Sequence, residues 1–456
     1  MKVLLINSPS KKQRITRDMA GGLGFGTGET AVLPPLDLAY MAATLLKRGH
    51  QAKIIDLAVE DYPARELEEL FNDFSPDAVI ATVSLPSIYQ DCVFIGGLRQ
   101  WTAAPVLVKT GMTFPALLKE ILERSRADLC VFGECDLNID KIISNEEKRG
   151  TAVLQNGRLQ IAADLAISNL DELPLPARQL LPNAKYHYVL LGDKTTAVQT
   201  SRGCPFPCAY YCPYPLVQGK AWRARSAENV VVEIGDIVDN LYINRILFRD
   251  ATFTLDRTRT AQICALILQK GLRFEWWCES RVDCLDHELM GMMKEAGCRG
   301  INIGVETGCP ELMQTQAKVG LTIERLKELR DHARQLGLNL HFLLMVGLPQ
   351  ETRESMYQTF RMLVDLKPES IGITVTTPYP GTPLFFEAKE KGWIESEEWE
   401  RYDGHTAVMH TGFFRSQEIT RLRGYLYLGF DLMKRQDIFS RIRFMLLDRY
   451  LRTRLR

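Results

Sequence analysis

The 456-residue chain has no apolar run near the roughly 20 residues that a bilayer span requires, so no transmembrane helix is expected. Its opening, "MKVLLINSPS", is too short and too soon interrupted to read as a secretory leader, and a cytoplasmic, reducing setting is expected. In such a setting eleven cysteines stay as thiols or bind metal, which argues against a disulfide framework. Net charge is lacking too, because 56 Lys and Arg balance 56 Asp and Glu. No appended basic module marks a nucleic-acid reader. At 46% apolar and 25% charged residues, the composition is that of an ordinary globular protein with room for two or three domains.

The charge balance hides an uneven spread. From Thr411 onward eleven Lys and Arg face only Glu418, Asp431, Asp437 and Asp448, so this tail carries +7 and the rest −7. The tail "YLYLGFDLMKRQDIFSRIRFMLLDRYLRTRLR" sets aromatic, aliphatic and arginine positions at near-helical spacing. It reads either as a basic amphipathic helix able to rest on an anionic membrane surface or as a helix packed on its own domain with a solvated basic face.

The first 145 residues alternate apolar strands ("KVLLIN", "AKIIDL", "DAVIATVS", "PVLVKT", "ADLCVFG") with helical stretches such as "PLDLAYMAATLLKRGH". This pattern predicts a Rossmann-like, doubly wound parallel sheet over 1–145, with ligands at the carboxyl ends of its strands. The segments there are the Pro9–Ser10 turn, "MAGGLGFGTGET", "SLPS", "TGMT" and "GECD". Periodicity lapses over 146–192, where "QNGRLQ" reads as a hairpin and "LDELPLPARQLLP" as a linker. Six further strand–helix units predict a partial (β/α)6 barrel over 193–395, followed by a helical C-terminal segment over 396–456. Barrel chemistry belongs at the C-terminal strand ends.

At one such end stands "SRGCPFPCAYYCPYP", with Cys204, Cys208 and Cys212 at equal steps. Pro205, Pro207 and Pro213 forbid a regular helix there, so a loop presents the three thiols. Zinc would want a fourth ligand and a second short cysteine pair, which the chain lacks. Three clustered thiolates could instead leave one iron of a cubane cluster open to a substrate or cofactor. Iron–sulfur, zinc and structural coincidence stand in that order.

The run "SRGCPFPCAYYC" resembles the signature of radical S-adenosylmethionine (SAM) enzymes, and more narrowly their branch with an N-terminal cobalamin-binding domain. "PPLDLAYMAATLLKRGHQAKIIDL", "LDELPLPARQLLP", "RDATFTLDR", "MVGLPQET" and "TPYPGTPLFFEAKEKGW" continue the resemblance in order. It implies that Cys204, Cys208 and Cys212 ligate a [4Fe–4S] cluster, whose open iron takes SAM and splits it to a 5′-deoxyadenosyl radical. It further implies SAM contacts at Tyr211, Asp250, Thr252, Arg281, Glu306 and Gly347. The family's cysteine spacing is three residues and then two, whereas here it is three and three, which puts the seat of the adenine in question.

Cobalamin is the third cofactor implied. The first domain has a single histidine, His50, and no Asp-x-His-x-x-Gly loop to supply an axial imidazole. Binding without one would fall to Ser84, Ser87, Thr110, Gly111 and Gly133. The implied activity is cobalamin-dependent methylation of an unactivated carbon. Radical cyclisation, ring contraction or rearrangement without net methylation is the second reading, and a non-catalytic regulator the third. The expected partners are a lipid-like, peptide or other small-molecule substrate and an electron donor such as flavodoxin or ferredoxin, with no nucleic acid.

Overall fold

The computed structural model describes residues 1–9, 15–17, 25–26, 31–315, 320–435 and 437–455. The chain divides into two compact units. One holds 1–205, 213–251 and 271–275, and the other holds 206–212, 252–270 and 276–456.

In the first unit, strands β1 (Lys2–Asn7), β2 (Gln51–Asp56), β3 (Ala78–Val83), β4 (Val106–Thr110) and β5 (Leu129–Val131) run parallel in the spatial order β5-β4-β3-β1-β2. Leu5 of β1 lies between Ile54 and Ile80, and every residue of β3 and β4 is buried. A sheet covered on both faces needs apolar residues at successive positions, which is why these segments read as continuous runs rather than alternating ones. Helix α1 (Leu36–Lys47) contributes Leu38, Met41, Ala42 and Leu45 to the core beneath. The order reverses between β1 and β3, where open sheets of this kind bind ligands.

The "QNGRLQ" hairpin forms as expected between β6 (Thr151–Gln155) and β7 (Arg158–Ile161). Asn156 and Gly157 both take positive φ, as a tight hairpin turn demands. The hairpin extends the sheet antiparallel beyond β5, giving seven strands. The same unit carries β8 (Thr195–Val198), parallel to β9 (Arg245–Phe248).

The second unit contains four parallel strands, β10 (Glu275–Ser280, from Trp276 onward), β11 (Cys298–Glu306), β12 (Asn339–Val346) and β13 (Ser370–Val375), side by side in chain order. Helices α2 (Arg257–Gln269), α3 (His287–Glu295), α4 (Ile323–Leu336) and α5 (Arg353–Leu366) alternate with them. Each helix is started by a side chain the sequence places one residue ahead of it. Asp256, Asp286, Thr322 and Thr352 each accept the backbone N–H three positions on, a cap worth about 1 kcal/mol. Three helices follow: α6 (Pro383–Glu390), α7 (Ser416–Lys434) and α8 (Ile438–Leu455).

Candidate functional site

In the first unit an open hollow of about 480 Å³ lies at the carboxyl ends of β3, β4 and β5. Thr82, Val83 and Ser84 line it from β3, Lys109, Thr110 and Gly111 from β4, and Gly133 and Glu134 from the turn after β5. Four of the five residues expected to cradle cobalamin are therefore together. A Cβ on Gly133, which sits at φ +64°, would lie 2.2 Å from Asp164 Oδ1, so only glycine fits this wall. Ser87 is not among the lining residues. Its hydroxyl donates to Asp91 at 2.7 Å and accepts from Arg17 at 2.9 Å. The glycine-rich stretch Met19–Thr30 lies outside the described residues apart from Phe25 and Gly26, as does Ser10.

Arg17 is the residue that sequence reasoning missed here. Its guanidinium donates to Ser84 Oγ (2.9 Å), to the Ser8 carbonyl (2.7 Å), to Ser87 Oγ, and to both oxygens of buried Asp91 (2.8 and 3.0 Å). Burial pushes the Asp91 carboxyl up, and Arg17 opposes that shift. Lys109, also in the wall, donates to the Gly133 carbonyl at 3.0 Å. Burial alone would lower its pKa, but neighbouring Cys135, Asp37 and Asp136 outweigh burial and raise it. Such residues carry no periodic signal in the sequence.

Beyond the hollow the same unit pairs further buried charges. Arg202 pairs with Asp136 at 2.7 Å and Arg223 with Glu134 at 2.6 Å. Asp250 Oδ1 accepts from the Thr200 N–H and hydroxyl (3.0 Å each) and from Ser201 Oγ (2.6 Å), tying the end of β9 to the segment after β8. Cys204 is buried and its N–H donates to the Gly219 carbonyl at 3.1 Å. Gly203 precedes it at φ +85°, where a Cβ would strike the Ala221 carbonyl oxygen at 2.0 Å.

In the second unit Cys208 and Cys212 bracket one tight turn. The Cys208 carbonyl accepts from both Tyr211 N (3.2 Å) and Cys212 N (3.1 Å), so the residues between the two thiols close into one turn. The two tyrosines diverge. Tyr210 donates its hydroxyl to Glu387 of α6, which also holds Lys391 at 2.6 Å. Tyr211 is buried with Met345, Leu348, Leu384 and Met409, and half-buried Cys208 and Cys212 pack against the same apolar cluster. Its hydroxyl has no hydrogen-bond partner among the described residues. Burial raises the Tyr211 pKa well above its ordinary value, Glu306, Cys208 and Cys212 add to the rise, and Arg281 opposes it.

Glu306, at the end of β11, takes φ +65°, and the pairing of β11 with β12 slips between Gly304 and Glu306. A non-glycine residue there is strained, and such strain gathers at functional sites. Arg281, following β10, lies 3.7 Å from the ring centre of Phe206 and donates through Nε and Nη2 to Asp283 at 2.9 Å each. Thr252 is buried. Gly347 takes φ +84° and donates its N–H to Glu351 Oε2 at 2.7 Å. Glu351 is fully buried, its other oxygen has no partner among the described residues, and burial lifts its pKa to about 8. Further along, Tyr402 and Phe414 are buried, Phe413 is exposed, and His405 Nδ1 meets Arg423 at 2.8 Å.

Among the described residues no three His, Cys, Asp or Glu side chains already form a metal cage. The donors nonetheless suit an iron–sulfur centre: Cys208 and Cys212 are soft thiols half-sheltered from water by apolar side chains.

Residues 198–363 match the radical SAM superfamily. An uncharacterised methyltransferase of Pyrococcus horikoshii is 30% identical over 453 residues, covering 96% of this chain and 95% of that protein. Among solved structures, the cobalamin-dependent SAM radical enzyme OxsB, with aqua-cobalamin bound, superposes on all of this chain and 71% of its own length, with a TM-score of 0.72 at 16% identity. TsrM from Kitasatospora setae, a radical SAM methyltransferase with cobalamin and a [4Fe–4S] cluster bound, covers 86% of this chain and 75% of its own, with a TM-score of 0.67 at 20% identity.

Proposed function

The chain belongs to the radical SAM enzymes of the branch with an N-terminal cobalamin-binding-type domain, and from that premise we propose that it methylates an unactivated carbon of a biosynthetic substrate. In this reading Cys204, Cys208 and Cys212 hold a [4Fe–4S] cluster. Tyr211, Asp250, Thr252, Arg281, Glu306 and Gly347 receive SAM, and Ser84, Thr110, Gly111 and Gly133, with Ser87 behind them, receive cobalamin. When bound, these groups supply the electron that cleaves SAM and the methyl group that is transferred.

The observation that carries the reading is the Cys208–Cys212 turn. It presents two thiols and a buried tyrosine hydroxyl in apolar surroundings, with a strained glutamate and an arginine acting electrostatically on that hydroxyl. Apolar walls hold a reactive radical away from side reactions. The Arg281 guanidinium, which already grips Asp283 through Nε and Nη2, adds a positive charge beside Phe206 that suits the carboxylate of SAM. In the first unit, the hollow at β3–β5 offers backbone and hydroxyl groups to a broad ligand. Arg17, itself in the wall, holds Ser84 and Ser87 in place. An electron donor of the flavodoxin or ferredoxin type would serve the cluster. The enzyme would work in the cytoplasm, its basic tail touching a membrane surface.

Anaerobic reconstitution with iron, sulfide and hydroxocobalamin tests this directly. About four irons and one cobalt per chain, with 5′-deoxyadenosine formed from SAM and one S-adenosylhomocysteine per product, are the expected results. Iron without cobalt, and 5′-deoxyadenosine without S-adenosylhomocysteine, would move the assignment to radical rearrangement. No iron would overturn it.

A further inference from the structure

Helix α8 is apolar on two faces. Its inner face is spent on the protein: Leu447 and Leu451 are buried, Phe444 stacks on Phe360 of α5 at 5.9 Å, and Asp448 and Arg452 both reach the Tyr357 hydroxyl at 3.2 Å. The outer face is not. Phe439 is 74% exposed, Ile438 67%, Leu446 63% and Met445 62%, with Ile442 among them. At 3.6 residues per turn these five fall within an arc of roughly 120° directed away from the protein.

The charges on the helix are sorted about that arc. Arg441 and Arg452 fall along one edge and Arg443 and Arg454 along the other, with Arg449 inside it near the C-terminal end, and all five are exposed. The helix's only acid, Asp448, is half-buried and turned to Tyr357 and Arg452. An exposed apolar stripe between two rows of arginine is the pattern of a helix lying in a membrane interface, with side chains among the acyl chains and guanidinium groups at the phosphates. A second copy of this chain is a poorer occupant, since a two-fold contact across this face would set arginine rows against each other. The helix is not apolar enough to span, and no described helix is.

We infer, building on the membrane contact proposed for the tail, that the outer face of α8 seats the enzyme on an anionic lipid bilayer. The exposed arc fixes which way the protein lies: Phe439, Met445 and Leu446 enter the bilayer, while the α5–α7 side of the helix stays with the protein.

Co-sedimentation of the full chain with vesicles of phosphatidylcholine alone, or with a third phosphatidylglycerol, tests this. Binding is expected on the anionic vesicles and at least tenfold weaker on the neutral ones, falling as salt rises. F439E combined with L446E should abolish it, and R441Q combined with R443Q should weaken it about tenfold or more. All four positions are exposed, so unchanged thermal unfolding is expected and separates lost binding from lost fold. Equal binding to both vesicle types, or binding unaffected by F439E with L446E, would overturn the inference. So would a dimer in light scattering that this double variant dissolves, which would make the occupant a second copy. None of these readouts needs a cluster, so they fail independently of the chemistry, which 5′-deoxyadenosine formation by the same variants reports.

Discussion

The two candidate ligand regions treat buried polar groups in opposite ways. Around the hollow of the first unit, charges neutralise one another: Arg17 with Asp91, Arg202 with Asp136, Arg223 with Glu134. Around the Cys208–Cys212 turn of the second unit, the Tyr211 hydroxyl and one Glu351 oxygen are buried without a hydrogen-bond partner among the described residues. A satisfied network is rigid before any ligand arrives. An orphaned hydroxyl costs about 1–3 kcal/mol until something meets it. The first region is thus satisfied as it stands, whereas the second keeps two buried polar atoms unmet.

The largest expected effect is at the second region. C208A or C212A should abolish cluster iron and SAM cleavage, read by iron content and 5′-deoxyadenosine, while leaving the buried pairs of the first unit intact. Breaking the first region should instead cost stability. R17M strands the Asp91 carboxylate and should destabilise the protein by about 3–5 kcal/mol in urea unfolding, with R17M combined with D91L recovering part of the loss.

Glu351 gives a pH signature. Its folded pKa, about 8, lies above the unfolded value, so its contribution is fully present below pH 4.5 and is lost as pH rises through 8. E351Q should match the parent near pH 4 and unfold at an increasingly higher temperature than the parent as pH rises to 8. A parallel pH profile for the two proteins would remove burial as the cause.

Y211F should show the smallest effect and the most pointed. Removing an orphaned hydroxyl should leave stability unchanged or raise it by about 1 kcal/mol, while SAM binding weakens roughly tenfold. A loss of stability with SAM binding unchanged would mean that the hydroxyl serves the fold, and the contrast between the two regions would fail.

Much of the fold was legible in the sequence. Five parallel strands of the first unit fall within a few residues of the apolar runs that mark them, and strands alternate with helices from Thr195 onward as the strand–helix pattern predicts. The hairpin was readable because Asn-Gly is one of the few dipeptides that tolerates two positive φ values in succession. The site was legible only where chemistry is written locally. Cysteine spacing marks a loop whatever the rest of the chain does. Arg17 with Asp91 and Tyr210 with Glu387 are joined across 74 and 177 residues, and a polar residue destined for a distant partner looks in sequence like one destined for water. Ser87 shows the converse: its place after β3 was foreseen, but not that Arg17 and Asp91 would claim its hydroxyl.

Gly347 has one more consequence. A Cβ at that position would come within 2.8 Å of Ile419 on α7, the helix against which α8 packs. The loop after β12 and the C-terminal helical pair are therefore in mechanical register, separated by a gap that one methyl group would close. A side chain at position 347 is opposed from two directions at once, by the positive φ and by Ile419, and engineering of the tail for a new surface should begin by leaving that gap as it is.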